Sequence, residues 1–231
     1  MHQKRISAPR SWKVSNKEDF WVSSPNTPHP KERSMPLNVV LRDVIGIVDN
    51  TREVKRILSR EDLKIDGRVV KDHEFGVGLF DVISIPKSDF YVRVSMDSKN
   101  KLSFIEITEE ESKYKVCKIT DKKHVPGGNI QLNLHDGKNI RLEETELKPK
   151  NSVKIKLPSQ EIEKSISFEE GKLAFVFAGQ HSGELAEIKA YEVMKGSKSN
   201  TVILENEKEF STIEDYIIIV GDQEPEVTVS D

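Results

Sequence analysis

Seven cationic side chains fall within twenty residues: Arg52, Lys55, Arg56, Arg60, Lys64, Arg68 and Lys71. At about 100° per residue, Arg52, Lys55, Arg56 and Arg60 share one side of a helix, and Val54, Ile57 and Leu58 share the other. What such a group can do is hold an extended polyanion, of which a phosphodiester backbone is the obvious one. Charged faces are also common on ordinary surface helices, so it is the density of cations that favours an anion-binding surface here.

The elements that must position these groups run from Leu37 to Ile85. Asn50 followed three residues later by Glu53 is a helix-start signal, since each side chain can satisfy a free backbone N–H of the first turn. After the helix, Leu63–Ile65 and Arg68–Val70 flank Asp66-Gly67, a two-residue hairpin signal because both turn positions need positive φ. Upstream, Leu37, Val40, Leu41, Val44, Ile45 and Val48 follow helical spacing. Ser34 is the expected cap and Pro36 the expected first-turn residue. Gly46 would lie inside that helix, where close helix–helix contact could use it. Gly76-Val77-Gly78 lacks the third glycine and the following helix of a dinucleotide site, so it reads as a loop. Val82–Ile85 reads as a strand ended by Pro86.

Thr51-Arg52 at the helix start, then Leu63 to Val70, then Asp81-Val82-Ile83, resemble the S-four RNA-binding module. That module implies binding of structured RNA and is shared by several kinds of protein. A second resemblance is longer. His2, Lys4-Arg5, Ala8-Pro9 and Trp12 match the N-terminal signature of the archaeal and eukaryotic (e-type) small-subunit ribosomal protein four family. Pro28 to Leu37 resembles that family's entry to its RNA module, with Pro30 as an extra residue. Tyr114 to Lys118 and His135 to Arg141 resemble its central domain. Gly171 to Ile188 looks like a KOW motif of an SH3-like barrel, although Glu184 and Ala186 stand where a basic residue and a glycine are usual. That departure leaves open whether the barrel meets protein or touches RNA through backbone and loops. The chain is thereby identified as a member of the family, of the short archaeal type.

Composition sets bounds. The 231 residues are 35% hydrophobic and 32% charged, polar for one large core but suited to several small ones. The net charge of −3 is unevenly spread: residues 1–75 are net +4, residues 76–150 net +1 and residues 151–231 net −8. A basic N-terminal third can therefore hold RNA while the acidic end faces elsewhere. Cys117 is the one cysteine, which excludes an internal disulfide framework and a cysteine zinc site. It reads as core. No apolar run approaches a membrane span, and no signal-peptide pattern opens the chain. The expected compartment is the cytoplasm, on the ribosome.

Residues 1–36 hold five of the ten prolines and both tryptophans, with little apolar periodicity. They read as a basic arm, with Lys4, Arg5 and Arg10 facing RNA and Trp12 either stacking there or anchoring the arm. From Phe90 to Leu157 short alternating segments separated by turns predict a small barrel or curled sheet. Leu173–Phe177, Leu185–Tyr191, Thr201–Leu204 and Ile217–Val220 predict strands of a third unit, and residues 223–231 an acidic tail that frays.

The expected fold is therefore α+β and mostly β. An arm (1–36) leads into an S-four-type module (37–86), a β-rich central domain (87–165), a KOW SH3-like barrel (166–222) and the tail. Scattered histidines, the turn pair His135-Asp136 and the acidic run Glu109–Glu111 form no catalytic or metal motif, so no catalytic residue, metal or cofactor is expected. The resemblance implies a structural constituent of the small ribosomal subunit, a monomer there, with small-subunit rRNA and neighbouring ribosomal proteins as partners and no membrane. An extraribosomal RNA-binding or translation-control factor is the second reading, and an rRNA-modifying enzyme the third.

Overall fold

The computed structural model describes residues 2–15, 17–196 and 198–230. The fold is α+β and mostly β, in two compact units. One comprises residues 1–95 and 101–113; the other comprises residues 96–100 and 114–231.

The first unit begins with the arm, which is folded. β1 (His2–Lys4) pairs antiparallel with β2 (Trp21–Ser23). Trp12 is 3% exposed and its Nε1 donates to Ser34 O at 2.7 Å, so of its two expected roles the ring takes the anchoring one. β3 (Ser34–Pro36) then pairs with β6 (Gly76–Gly78). Two expectations are corrected here. Ser34 does not cap a helix: it lies in β3 and its hydroxyl donates to Pro30 O. Gly76-Val77-Gly78 is a strand and not a loop, and its glycines make room for the arm. A Cβ on Gly76 would lie 2.5 Å from Thr27, and one on Gly78 would lie 2.3 Å from the His29 ring.

α1 (Leu37–Val39) runs directly into a π turn, Val40–Val44. The first free N–H groups of α1 donate to carbonyls of the 73–75 segment, from Leu37 to Phe75 O and from Asn38 to His73 O. The single helix expected to reach Val48 therefore ends early. Gly46 sits at φ +74 with open space around it, so it is the left-handed exit of the element and not a helix–helix contact. The Ile47 N–H reaches back to Leu41 O, one residue wider than an α-helical ending because the last turn is π.

α2 (Thr51–Ser59) is followed by β4 (Lys64–Ile65) and β5 (Arg68–Val69), joined through Asp66 at φ +49 and Gly67 at φ +74. The remaining strands of this unit's sheet are β7 (Val82–Ile85), β8 (Phe90–Met96) and β9 (Leu102–Glu106), in the order β5-β4-β7-β8-β9. Arg93 on β8 is fully buried and its guanidinium meets Glu111 Oε1 at 2.7 Å.

The second unit holds two five-stranded antiparallel sheets among its described residues. β10 (Tyr114–His124), β11 (Ile130–Leu134), β12 (Asn139–Leu142), β13 (Ser152–Lys156) and β14 (Glu161–Ile166) are ordered β12-β11-β10-β13-β14. β15 (Leu173–Val176), β16 (Leu185–Glu192), β17 (Thr201–Glu205), β18 (Glu209–Ile213) and β19 (Ile217–Gly221) are ordered β18-β17-β16-β15-β19. Val176, Ile188, Val202, Leu204 and Ile219 pack with Ile166 in one core. The buried ammonium of Lys118 on β10 donates to Glu214 O at 3.0 Å and Ile217 O at 2.9 Å, joining the sheets. The acidic tail is fastened and does not fray as expected. Val227 and Val229 are buried, and Glu226 accepts from Lys154 and Lys164.

Candidate nucleic-acid interface

α2 is fixed at both ends. The Asn50 side chain accepts from the N–H of Arg52 at 3.0 Å and of Glu53 at 3.1 Å. Glu53 in turn accepts from the Asp49 N–H and from the Asn50 side-chain amide. This closes the first turn as a capping box does, shifted by one residue. Val54 and Leu58 are buried, which turns Arg52, Lys55, Arg56 and Arg60 to solvent; all four are exposed.

The hairpin adds to this surface. Arg68 is exposed and Lys64 half-buried on the strand that also pairs with β7. The Lys71 ammonium lies 2.7 Å from Glu61 Oε1, which brings the hairpin exit beside the end of α2 and hence beside Arg60. The hydrogen bond between them holds Glu61 below the usual carboxylate range and Lys71 above the usual amine range. Lys71 is thus a paired cation. Among the described residues, Arg52, Lys55, Arg56, Arg60, Lys64 and Arg68 have no ion-pair partner.

The arm residues divide differently. Lys4 and Arg10 are exposed, with the Lys4 ammonium 5.7 Å from the centre of the Phe20 ring. Arg5 departs from its expected outward role. It is 2% exposed, its Nε donates to Ser15 O, and its guanidinium meets Glu18 at 3.2 Å, Asp19 at 3.4 Å and Asp43 at 3.8 Å. Its charge is spent inside the unit, where it pins the arm to the π turn.

The arm and the basic helix share a cleft of about 400 Å³, lined by Phe20, Trp21, Asn38, Arg42, Thr51 and His73 among others. Sequence reading put its weight on Trp12; the indole presented to solvent is Trp21, 57% exposed. The signal available for it was Trp21 and Val22 as adjacent, opposite-facing positions of a strand, but nothing local marked those residues as a strand.

Chemically, the arrangement offers fixed, unneutralised cations on a rigid helix and hairpin, with an aromatic ring near the start of the helix. Comparison with known proteins gives a family, relatives and a solved structure among its matches. A family described as "Ribosomal family S4e" matches residues 88–162. The small ribosomal subunit protein eS4 of Methanocella arvoryzae is 40% identical over 228 residues, 98% of this chain and 96% of that protein. Its counterpart from Archaeoglobus fulgidus is 41% identical over 233 residues, 100% of this chain and 97% of that protein. The crystal structure of the 30S ribosomal protein S4e from Thermoplasma acidophilum superposes with a TM-score of 0.71 at 29% identity, covering 82% of this chain and 96% of that one.

Proposed function

The chain belongs to the ribosomal S4e family, and from that footing we propose how it holds RNA. It is a structural constituent of the small ribosomal subunit, of archaeal type. Its cationic surface binds small-subunit rRNA. Arg52, Lys55, Arg56, Arg60 and Arg68 contact phosphates, with Lys64 behind them and Lys4 and Arg10 extending the contact from the arm. The observation that carries this reading is the set of cations on α2 and the hairpin with no internal partner.

Binding releases counterions condensed on the RNA, which supplies affinity without base readout. The rigid helix-and-hairpin shape selects backbone geometry, as suits folded RNA whose deep groove side chains cannot read. Lys71 contributes less because Glu61 already neutralises it. Arg5 acts at one remove, holding the arm in place.

The same reading takes residues 37–86 as an S-four-type module, supported by the capped basic helix and the Asp66-Gly67 turn. It takes residues 87–165 as the central domain and 166–222 as a KOW barrel, with 223–231 as its fastened tail. The barrel assignment is supported by antiparallel β15 and β16 joined through Gly179 and Gly183, both at positive φ. The protein works by binding and not by turnover, as one copy per subunit on the cytoplasmic ribosome beside other small-subunit proteins. No helix among the described residues is long and apolar enough to cross a membrane.

Sucrose-gradient fractionation of a native lysate at moderate salt tests the reading. The protein is expected with small subunits in stoichiometric amount and released only by high salt. A pool held mainly at the top of the gradient would instead support a free RNA-binding factor.

A further inference from the structure

The loop between β16 and β17, residues 193–200, differs from the acidic segment that carries it. The two strands pair as far as Glu192 and Thr201 at its base. Val193 and Met194 are 70% and 37% exposed, and they are the only large apolar side chains left exposed among the described residues of the second unit. Lys195 and Lys198 follow them and are exposed. Of the eight cations after residue 150, Lys154, Lys164, Lys172 and Lys189 are ion-paired. Lys195 and Lys198 have no ion-pair partner among the described residues.

The base of the loop is fixed. The Asn200 side chain accepts from the Met194 N–H at 3.1 Å, and its amide donates to the Tyr191 hydroxyl at 2.6 Å and to Glu214 Oε2 at 2.9 Å. Glu214 is 5% exposed; its N–H donates to Asn200 O at 3.1 Å and its other carboxylate oxygen meets the Lys150 ammonium. One asparagine thus ties both ends of the loop to a buried carboxylate. A loop fixed in this way loses less conformational freedom when it binds. At the tip, Gly196 lies at φ +95 and a Cβ there would meet nothing within 4 Å, so the backbone can be approached closely.

Two cations beside two apolar side chains call for a partner that presents anions beside apolar surface. The wide, shallow minor groove of an RNA helix does so, with its riboses lying between two rows of phosphates. Glu192 and the net −8 of residues 151–231 oppose such a partner at close range. An extended hairpin over 193–200 reaches up to about 13 Å from its base. That exceeds the ~8 Å over which charges act at physiological ionic strength. The tip can therefore meet phosphates while the acidic sheet stays outside that range.

We propose that the β16–β17 loop is a second rRNA contact, seating Val193 and Met194 in a minor groove with Lys195 and Lys198 on the flanking phosphates. The inference rests on the rRNA-binding reading and extends it to the acidic end of the chain, where β15 and β16 themselves carry no such cations.

The full chain is bound to full-length small-subunit rRNA over a range of salt concentrations. Beside it are measured Arg52→Ala, the double variant Lys195→Ala with Lys198→Ala, and the double variant Val193→Ser with Met194→Ser. The lysine variant is expected to lower the salt slope by about two. The apolar variant is expected to weaken binding about tenfold at every salt concentration with the slope unchanged. Both should unfold thermally as the parent chain does, since the four side chains are exposed. A lowered slope in Arg52→Ala beside an unaltered slope in the lysine variant would overturn the proposal, give the loop to a protein neighbour and leave the rRNA reading standing. Parent-like affinity in the apolar variant would also overturn it, because the lysines would then act as diffuse charge with the loop unseated. No binding by the parent chain would remove the rRNA reading and this inference together.

Discussion

His29 Nε2 and Asp81 Oδ2 lie 3.0 Å apart in the interior of the first unit. The same carboxylate oxygen accepts the Gly78 N–H at 2.8 Å. A residue of the arm is thereby tied to the strand entry that follows the basic helix and hairpin, over a glycine whose missing side chain makes the approach possible. Gly78→Ala would put a Cβ 2.3 Å from the imidazole. It is expected to cost about 1–3 kcal/mol through overpacking. Urea unfolding checks this, and the arm should become the first site of proteolysis.

Arg93 supplies a second test of the interior. Its guanidinium is wholly buried and is held by the carboxylate and backbone carbonyl of Glu111 at 2.7 and 3.1 Å. Glu111→Ala removes the carboxylate bonded to the guanidinium, leaving Asp66 as a further negative charge acting on it, and should destabilise the protein by about 3 kcal/mol. Glu61→Ala, which breaks an exposed, solvent-screened pair, should leave stability close to that of the parent chain. Equilibrium denaturation of the two variants separates the cases.

The fastened tail predicts an acid response. Lys172 and Lys164 hold the Asp222 carboxyl down to about 2, and Lys164 with Lys154 holds Glu226 below its usual value. Both groups are lower in the folded state, so the stability they confer is full above their unfolded values near 4. It is lost as pH falls through the folded ones. Thermal unfolding should therefore lose stability between about pH 4 and pH 2. Asp222→Asn should flatten that limb by lowering stability at neutral pH, with little change below about pH 2, where the carboxyl is already protonated.

How much of this was legible beforehand follows from the range of the signals. The Asn50 cap, the Val54–Leu58 stripe and the Asp66-Gly67 turn are all local, and the structure has each where the sequence put it. β14 and β18 were missed because they are edge strands carrying charged residues, which blunts the alternation that marks a strand. Gly46 and Gly78 were misread because their roles depend on what lies across space: open solvent for one, His29 for the other. Arg5 failed as a surface cation for the same reason. Its partners Glu18, Asp19 and Asp43 are 13 to 38 positions away, and a basic arm looks the same in sequence whether its charges face out or in. Val227 and Val229, only two apolar positions in an acidic stretch, gave no sign that the tail would be buried.

The central claim is that unpaired cations of α2 and the hairpin meet rRNA phosphates, and salt dependence measures this most directly. The affinity of the full chain for a small-subunit rRNA fragment is followed against salt, beside Arg52→Ala, Arg56→Ala, Lys71→Ala and Arg5→Met. Arg52→Ala and Arg56→Ala are each expected to lower the slope by about one. Lys71→Ala should lower it by less, and Arg5→Met should lower stability while leaving the slope of the folded protein intact. An unchanged slope in both helix variants would contradict the account, because the RNA would then be held by some other face.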